Sequence, residues 1–297
     1  GPQAILEASR QVDLFHPEFP TLWKDGIAMD GIPDALLVQS AALKKDAATV
    51  IDVLIEGGSA QARAKAKKAL QLVNEECAVM NEWVEQRTGH WMDEGKLVGL
   101  LGGDHSTPLG MYRALAQRHE SFGILHIDAH MDLREAYEGF EFSHASIMYN
   151  ALDIDQVHNI VMVGIRDFCE AEARVFKDAE GRVRFHRSAE LRRERFEGRH
   201  WKEQVDAILE QLPEKVHISF DIDGLDPTLC PNTGTPVPGG LQFEEATYLL
   251  SRLAASGKRI IGFDLVEVTP GADNEWDANV GARLLWHLCG VLGKAGR

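Results

Sequence analysis

Phe122-Gly123-Ile124-Leu125-His126-Ile127-Asp128-Ala129-His130-Met131-Asp132 is the stretch that decides how this chain folds. Its first six residues form an almost unbroken apolar run. A strand with one wet face alternates apolar with polar, so an unbroken run predicts a strand covered on both faces. Its last five residues place a carboxylate or an imidazole at every second position. Working outward, four further short apolar runs follow the same pattern, at 97–101, 160–165, 216–220 and 259–263. Helical stretches separate them, for example 108–118, 201–211 and 243–256. Alternation of this kind predicts an α/β protein with a mainly parallel sheet covered by helices on both faces. Ligands in such sheets sit beyond the carboxyl ends of the strands, so polar motifs there carry the most information.

Upstream, 33–91 is rich in Ala, Lys, Glu and Leu and predicts two helices broken at Gly57-Gly58-Ser59. The basic run at 61–68 reads as a solvated helix face. No repeat or Pro/Ser-rich linker interrupts the chain, so a single domain over 1–297 is expected. The formal charge of −15 argues against nucleic acid, whose phosphates call for basic stripes. No apolar run approaches the roughly 20 residues a membrane-spanning helix needs. Cys77, Cys169, Cys230 and Cys289 are scattered, with no Cys-x-x-Cys, so neither a disulfide framework nor a zinc ribbon is suggested. A reduced, cytoplasmic setting fits them.

Three polar motifs follow three of the apolar runs: Gly102-Gly103-Asp104-His105-Ser106, Asp128-Ala129-His130-Met131-Asp132 and Asp221-Ile222-Asp223-Gly224-Leu225-Asp226-Pro227. In extended chain, residues at i, i+2 and i+4 point the same way, so Asp128, His130 and Asp132 are expected to converge, and Asp221 with Asp223 likewise. Clustered carboxylates without basic partners repel unless cations or protons neutralise them. Mixed Asp and His donors suit a borderline ion such as Mn²⁺ better than Ca²⁺. Two histidines and four aspartates exceed what one ion takes and suffice for two, which would hold a hydroxide between them. Any one motif alone would be a turn or a helix cap. His126 and His217, inside apolar runs, read as core histidines, and Asp226 before Pro227 reads as a turn residue.

Taken together the motifs resemble the ureohydrolase family of arginases and agmatinases. Thr233-Gly234-Thr235-Pro236, Gly239-Gly240 and Asp264-Leu265-Val266-Glu267-Val268 extend the match, which covers the chain from about Leu97 onward. The resemblance implies a three-layer α/β/α fold and two Mn²⁺ per subunit. It implies that His105, Asp128, Asp132 and Asp221 hold one ion and His130, Asp128, Asp221 and Asp223 the other. Glu267 matches the carboxylate that binds a substrate guanidinium, and His144 matches a histidine that shuttles protons at the site mouth. The implied reaction is attack of the metal-bridging hydroxide on the guanidinium carbon, with Asp132 passing the proton to the departing amine. Urea and an amine are the products. Family members form trimers or hexamers, so a homo-oligomer is implied too. Residues 1–8 resemble the family segment after its first strand, which implies that this strand is missing; a Gly-Pro cleavage scar is the competing reading.

For the substrate, 141–149 is closer to the agmatinase version of its loop than to the arginase one. The Asn-rich loop with which arginases hold an amino acid is not recognisable. Ala145-Ser146 departs from the usual Gly-Thr, and Leu133-Arg134 after Asp132 is similar to formimidoylglutamases. An Arg134 facing the pocket would favour arginine, a guanidino acid or formiminoglutamate; a salt bridge or an oligomer contact is the alternative. A non-catalytic metal-binding subunit of a hetero-oligomer would be expected to lack some ligands, yet all six are present.

Overall fold

The structure, a computed structural model, describes residues 1–296. Two short helices, α1 (Pro2–Ala8) and α2 (Leu22–Asp25), lead into the long pair α3 (Asp34–Glu56) and α4 (Ala60–Asp93). The break falls where the sequence puts it: Ser59 caps α4 by accepting the Ala62 N–H. In the basic run Arg63, Lys65, Lys67 and Lys68 are exposed, while Ala66 and Ala69 face inward.

Strands and helices then alternate. They run β1 (Gly99–Leu101), α5 (Leu109–Ala116), β2 (Phe122–Ile127), α6 (Ile147–Leu152), β3 (Val157–Ile165), α7 (Glu170–Asp178) and β4 (Val183–Arg187). Next come α8 (Ser188–Phe196), α9 (Trp201–Glu210), β5 (Lys215–Asp221), α10 (Phe243–Ala255), β6 (Arg259–Val266) and α11 (Trp276–Ala295). The strands form one all-parallel sheet in the order β1-β6-β5-β2-β3-β4. Alternate residues of each central strand feed two cores. Leu125, Ile127, Ile218 and Phe220 pack with α9, α10 and α11, while Ile124, Ile160 and Met162 pack with α5 and α6 on the other face. The three-layer arrangement expected from the alternation is the one observed.

Two details differ from expectation. β4 carries no apolar run in sequence, because it is the sheet edge and only Val183 of Val183–Arg187 is fully buried. β3 and β6 are longer than their apolar cores, starting at Val157 and ending at Val266 respectively. No helix among the described residues is long and apolar enough to cross a membrane.

The register has one consequence for the site. Asp264 pairs with Ser219, and Ser219's neighbour on the other side is His126, so these three polar residues form one row across β6, β5 and β2. Two residues beyond these, Asp128 follows the end of β2 and Asp221 ends β5. A polar file thus leads to the carboxyl edge of an otherwise apolar sheet.

Candidate metal centre

All six residues expected to bind metal meet at that edge. His105, between β1 and α5, points Nδ1 at three carboxylates: Asp128 Oδ2 at 3.0 Å, Asp132 Oδ2 at 3.2 Å and Asp221 Oδ2 at 3.2 Å. His130 Nδ1 lies 3.2 Å from Asp223 Oδ2 and 3.4 Å from Asp128 Oδ1. Asp128 therefore turns one oxygen to each histidine. Two overlapping donor groups result: His105, His126, Asp128 and Asp132 on one side and Asp128, His130 and Asp223 on the other, the atoms of each within 4.8 Å. Asp221 joins the His105 side. Its sharing between both groups, which the resemblance implies, has no counterpart in a contact to His130.

The convergence does not come from strand alternation, as the extended-chain argument expected. β2 ends at Ile127, and the candidate ligands Asp128, His130 and Asp132 sit on the loop that follows. There His130 makes an isolated bridge to Asp167, and Asp132 adopts a left-handed φ of 53°. Asp221 is the last residue of β5, and Asp223 lies on a single 3₁₀ turn, Ile222–Gly224. Backbone bonds hold this geometry: Asp223 N–H donates to Asp221 Oδ1 (2.8 Å), Ala129 N–H to Asp223 Oδ1 (3.0 Å) and His130 N–H to Asp128 Oδ1 (2.6 Å).

The donor set fits divalent cations. Ligands about 2.1 Å from one ion at near-right angles lie roughly 3 Å from each other, the spacing seen around His105. His105 Nδ1 is buried without a hydrogen-bond partner, although three carboxylate oxygens surround it. A buried ring nitrogen that faces three carboxylate oxygens without a hydrogen bond is a donor set open to a cation. Electrostatics agree. Burial, then Asp223 and Asp128, push the Asp221 carboxyl well above its ordinary value, and burial with Asp128 raises Asp132. Burial also disfavours the Asp128 anion, but the charge of His126 and the close approach of the His105, His126 and His130 rings to its oxygens hold it well below the usual range. Burial opposes the His130 cation too, yet Asp128 and Asp223 override it and raise His130 to about 11. The cluster calls for positive charge.

Behind His105 lies a fully buried network. His105 Nε2 meets Ser219 Oγ at 2.9 Å, and Ser219 O–H donates to Asp264 Oδ1 at 2.9 Å. The other Asp264 oxygen accepts from His217 Nε2 (2.7 Å) and from Tyr112 O–H of α5 (3.2 Å). Partners of this kind fix the ring and tautomer of a ligating histidine. His126 and His217 are buried, as expected of strand histidines. His126 is more than filler, because its Nε2 lies 2.8 Å from Asp128 Oδ2. The row shared by His126, Ser219 and Asp264 depends on strand order, which one chain's sequence does not display.

Glu267 follows β6 immediately, with a left-handed φ of 62°. Its N–H donates to Gly103 O (2.8 Å), and its Oε1 accepts the His105 N–H (2.9 Å), which sets it beside the cluster. Burial, then the nearby Asp104 charge, raise its carboxyl to about 7. Non-glycine residues in the left-handed region cost energy and concentrate at functional sites; Asp132 and Glu267 are two of four here. His144 opens the 3₁₀ turn His144–Ser146 and stands half-buried with its ring 5.8 Å from Tyr137. No hydrogen bond or ion pair joins it to the cluster among the described residues. Arg134 reaches Glu172 (3.7 Å) and stacks over Tyr137 (5.0 Å), so it is engaged within the protein. Asp226 is the turn residue expected, accepting from the Thr228 N–H and O–H.

A parallel α/β/α sheet with paired carboxylate and imidazole donor groups beyond its strands defines a class of metal-dependent enzyme folds. Within it this chain belongs to the arginase family, whose model matches residues 1–290, further upstream than the motifs alone reach. It is 34% identical over 199 residues to an N(1)-aminopropylagmatine ureohydrolase of Thermus thermophilus, a match covering 67% of this chain and 64% of that one. It is 31% identical to a guanidinobutyrase of Pseudomonas aeruginosa, covering 70% of this chain and 65% of that one. The chain thus spans somewhat less than two thirds of the length of these relatives. An agmatine ureohydrolase of Thermoplasma volcanium shares the fold, with a TM-score of 0.71 over 99% of this chain and 83% of that one at 24% identity.

Proposed function

We propose that this chain is a hydrolase of guanidino C–N bonds, agmatinase-like, that works with two Mn²⁺ and releases urea and an amine. The observation that carries the proposal is Asp128: it offers one oxygen to each of two histidine-containing donor groups, with the Glu267 carboxylate alongside. His105, Asp128, Asp132 and Asp221 would hold one cation, and His130, Asp128, Asp221 and Asp223 the other. Such a pair supplies a water activated at neutral pH and charge to offset that of the reacting group.

The chain's own groups do the rest. Glu267 binds the planar guanidinium; Oε1 is occupied by the His105 N–H, so Oε2 is the oxygen left for the substrate. A bound cation keeps this carboxylate ionised although its own value lies near neutrality. As water adds to the guanidinium carbon and the C–N bond to the tail breaks, Asp132 takes the water proton and delivers it to the departing nitrogen. His144 exchanges with solvent the second proton, the one the nascent urea must still lose.

An amine-tailed substrate such as agmatine fits best. The formal charge of −15 draws cations, and Arg134 is neutralised by Glu172 and covered by Tyr137. Relatives named agmatinase and N(1)-aminopropylagmatine ureohydrolase support the same tail chemistry. We further propose a single-domain subunit of a homotrimer or homohexamer in the cytoplasm, in keeping with the apolar side chains exposed at Phe15, Val38 and Ile55.

The test is urea release by manganese-loaded protein given agmatine, arginine, guanidinobutyrate and guanidine side by side. Agmatine is expected to lead, and His130→Ala or Asp221→Ala to abolish the activity in a folded protein. Formamide from formiminoglutamate with no urea from the panel overturns the assignment, and full activity without any divalent cation overturns the mechanism.

A further inference from the structure

The loop carrying His144 is held by α4, a helix that supplies none of the candidate metal ligands. Residues Tyr137 and Phe140 pair as a two-residue hairpin, with Tyr137 N–H donating to Phe140 O (3.1 Å) and Phe140 N–H to Tyr137 O (2.9 Å). Its tip, Glu138-Gly139, has both φ values positive, 56° and 90°, the geometry of a type I′ turn. An isolated hairpin this short is not stable in water, so something outside must hold it.

That support comes from the middle of α4. The Asn74 carboxamide donates from Nδ2 to Gly139 O (3.1 Å) and accepts the Glu141 N–H at Oδ1 (3.2 Å). A carbonyl and an N–H two residues apart are what a neighbouring strand would satisfy, and one carboxamide has the donor and the acceptor to replace it. Packing reinforces the bonds. Phe140 and Leu70 sit against the small cluster of Val50, Ala66 and Ala69 that joins α3 to α4. A Cβ at Gly139 would stand 2.7 Å from Leu70 Cδ2, so the tip is in tight contact with α4. On the far side of the hairpin, the Tyr137 ring meets the His144 ring edge-on at 5.8 Å while Arg134 covers it.

We infer that Asn74 is a positioning residue: through the 137–141 hairpin it sets where Tyr137 and His144 stand at the mouth of the site. The inference rests on the proposed function for the chemistry His144 performs, and on geometry alone for the clamp. A leucine at 74 fills the same space without either hydrogen bond, and an aspartate keeps the acceptor for Glu141 N–H while losing the donor to Gly139 O.

The experiment combines amide hydrogen exchange with kinetics on the full-length, manganese-loaded protein. Asn74→Leu is expected to speed exchange across 137–146 about tenfold, the worth of one to two local hydrogen bonds, with melting temperature and bound manganese unchanged. Asn74→Asp should fall between Asn74→Leu and the unaltered protein. For agmatine, kcat/KM should drop about tenfold in Asn74→Leu, and the drop should vanish in a His144→Ala background because both changes act through one group. Unaltered exchange in Asn74→Leu overturns the clamp. Equal, additive losses with and without His144 overturn its role in positioning. Faster exchange in a protein that releases urea from no guanidino compound keeps the clamp and rejects the proposed function instead.

Discussion

At the scale of single residues, the aspartates of the cluster are not equivalent. Asp128 is surrounded by His105, His126 and His130 and is held as an anion. Asp221 faces Asp223 and Asp128, and burial and these charges disfavour its anion. Removing the charge should therefore have opposite consequences in metal-free protein. Asp221→Asn is expected to leave thermal stability unchanged or raise it. Asp128→Asn leaves the imidazoles of His105, His126 and His130, the first two fully buried, without their common counter-charge and should cost about 3 kcal/mol. With metal present both substitutions would remove a proposed ligand, and both should lower stability. Thermal denaturation of the two variants, with chelator and with excess manganese, checks this. A metal-free Asp221→Asn that melts below Asp128→Asn would refute the electrostatic account.

At the scale of elements, the site depends on how closely the ends of β2 and β5 approach. Gly224 closes the 3₁₀ turn after β5 and lies against the start of the β2 loop. A Cβ there would stand 2.8 Å from Asp128 N and 3.0 Å from the Ile127 carbonyl carbon, both backbone atoms that cannot swing aside. Gly224→Ala should cost about 2 kcal/mol or more by forcing the two loops apart. Because Asp128 and Asp223 move with those loops, manganese affinity should fall further than stability does. Titration calorimetry beside a melting curve reads both, and an alanine variant that binds manganese normally would show that the contact is not limiting. The same elements explain what a reader of the sequence can and cannot see. β2, β3, β5 and β6 are legible because strands buried on both faces must be apolar. β4 is not, since an edge strand tolerates Arg184 and Arg187. The six candidate ligands are legible as residue types at strand ends. Their meeting relies on left-handed backbone at Asp132 and on a 3₁₀ turn at Asp223, and neither leaves a mark in the sequence. Nor does the bond from His105 N–H to Glu267, which spans parts of the chain that only the sheet order brings together.

At the scale of the whole molecule, the chain's N-terminal segment is fastened to its C-terminal helix through a buried histidine. His287 of α11 lies under His16 and Phe19, their rings 5.6 and 5.3 Å away. Its Nε2–H donates to Thr247 O at 3.1 Å on α10, with Ser251 Oγ at 3.1 Å. Burial depresses His287 to about 4; Glu18 pulls it up and His16 pushes it down. Glu244 lines the same cavity of about 290 Å³ but does not reverse the balance. The folded value lies below the unfolded one, so protons favour the unfolded chain. The stabilisation is complete above pH 6.5 and is lost as pH falls towards 4. A shift from 6.5 to about 4 corresponds to about 3 kcal/mol. Many carboxylates of this acidic chain also titrate on the way down, so the informative quantity is a difference between proteins. His287→Gln keeps an N–H for Thr247 but cannot take up a proton. Denaturant unfolding of both proteins from pH 7 to pH 4 should show stability falling more steeply in the unaltered chain, by about 3 kcal/mol over the window. Parallel curves would mean that His287 meets its proton from solvent without unfolding, and that the N-terminal segment is not what buries it.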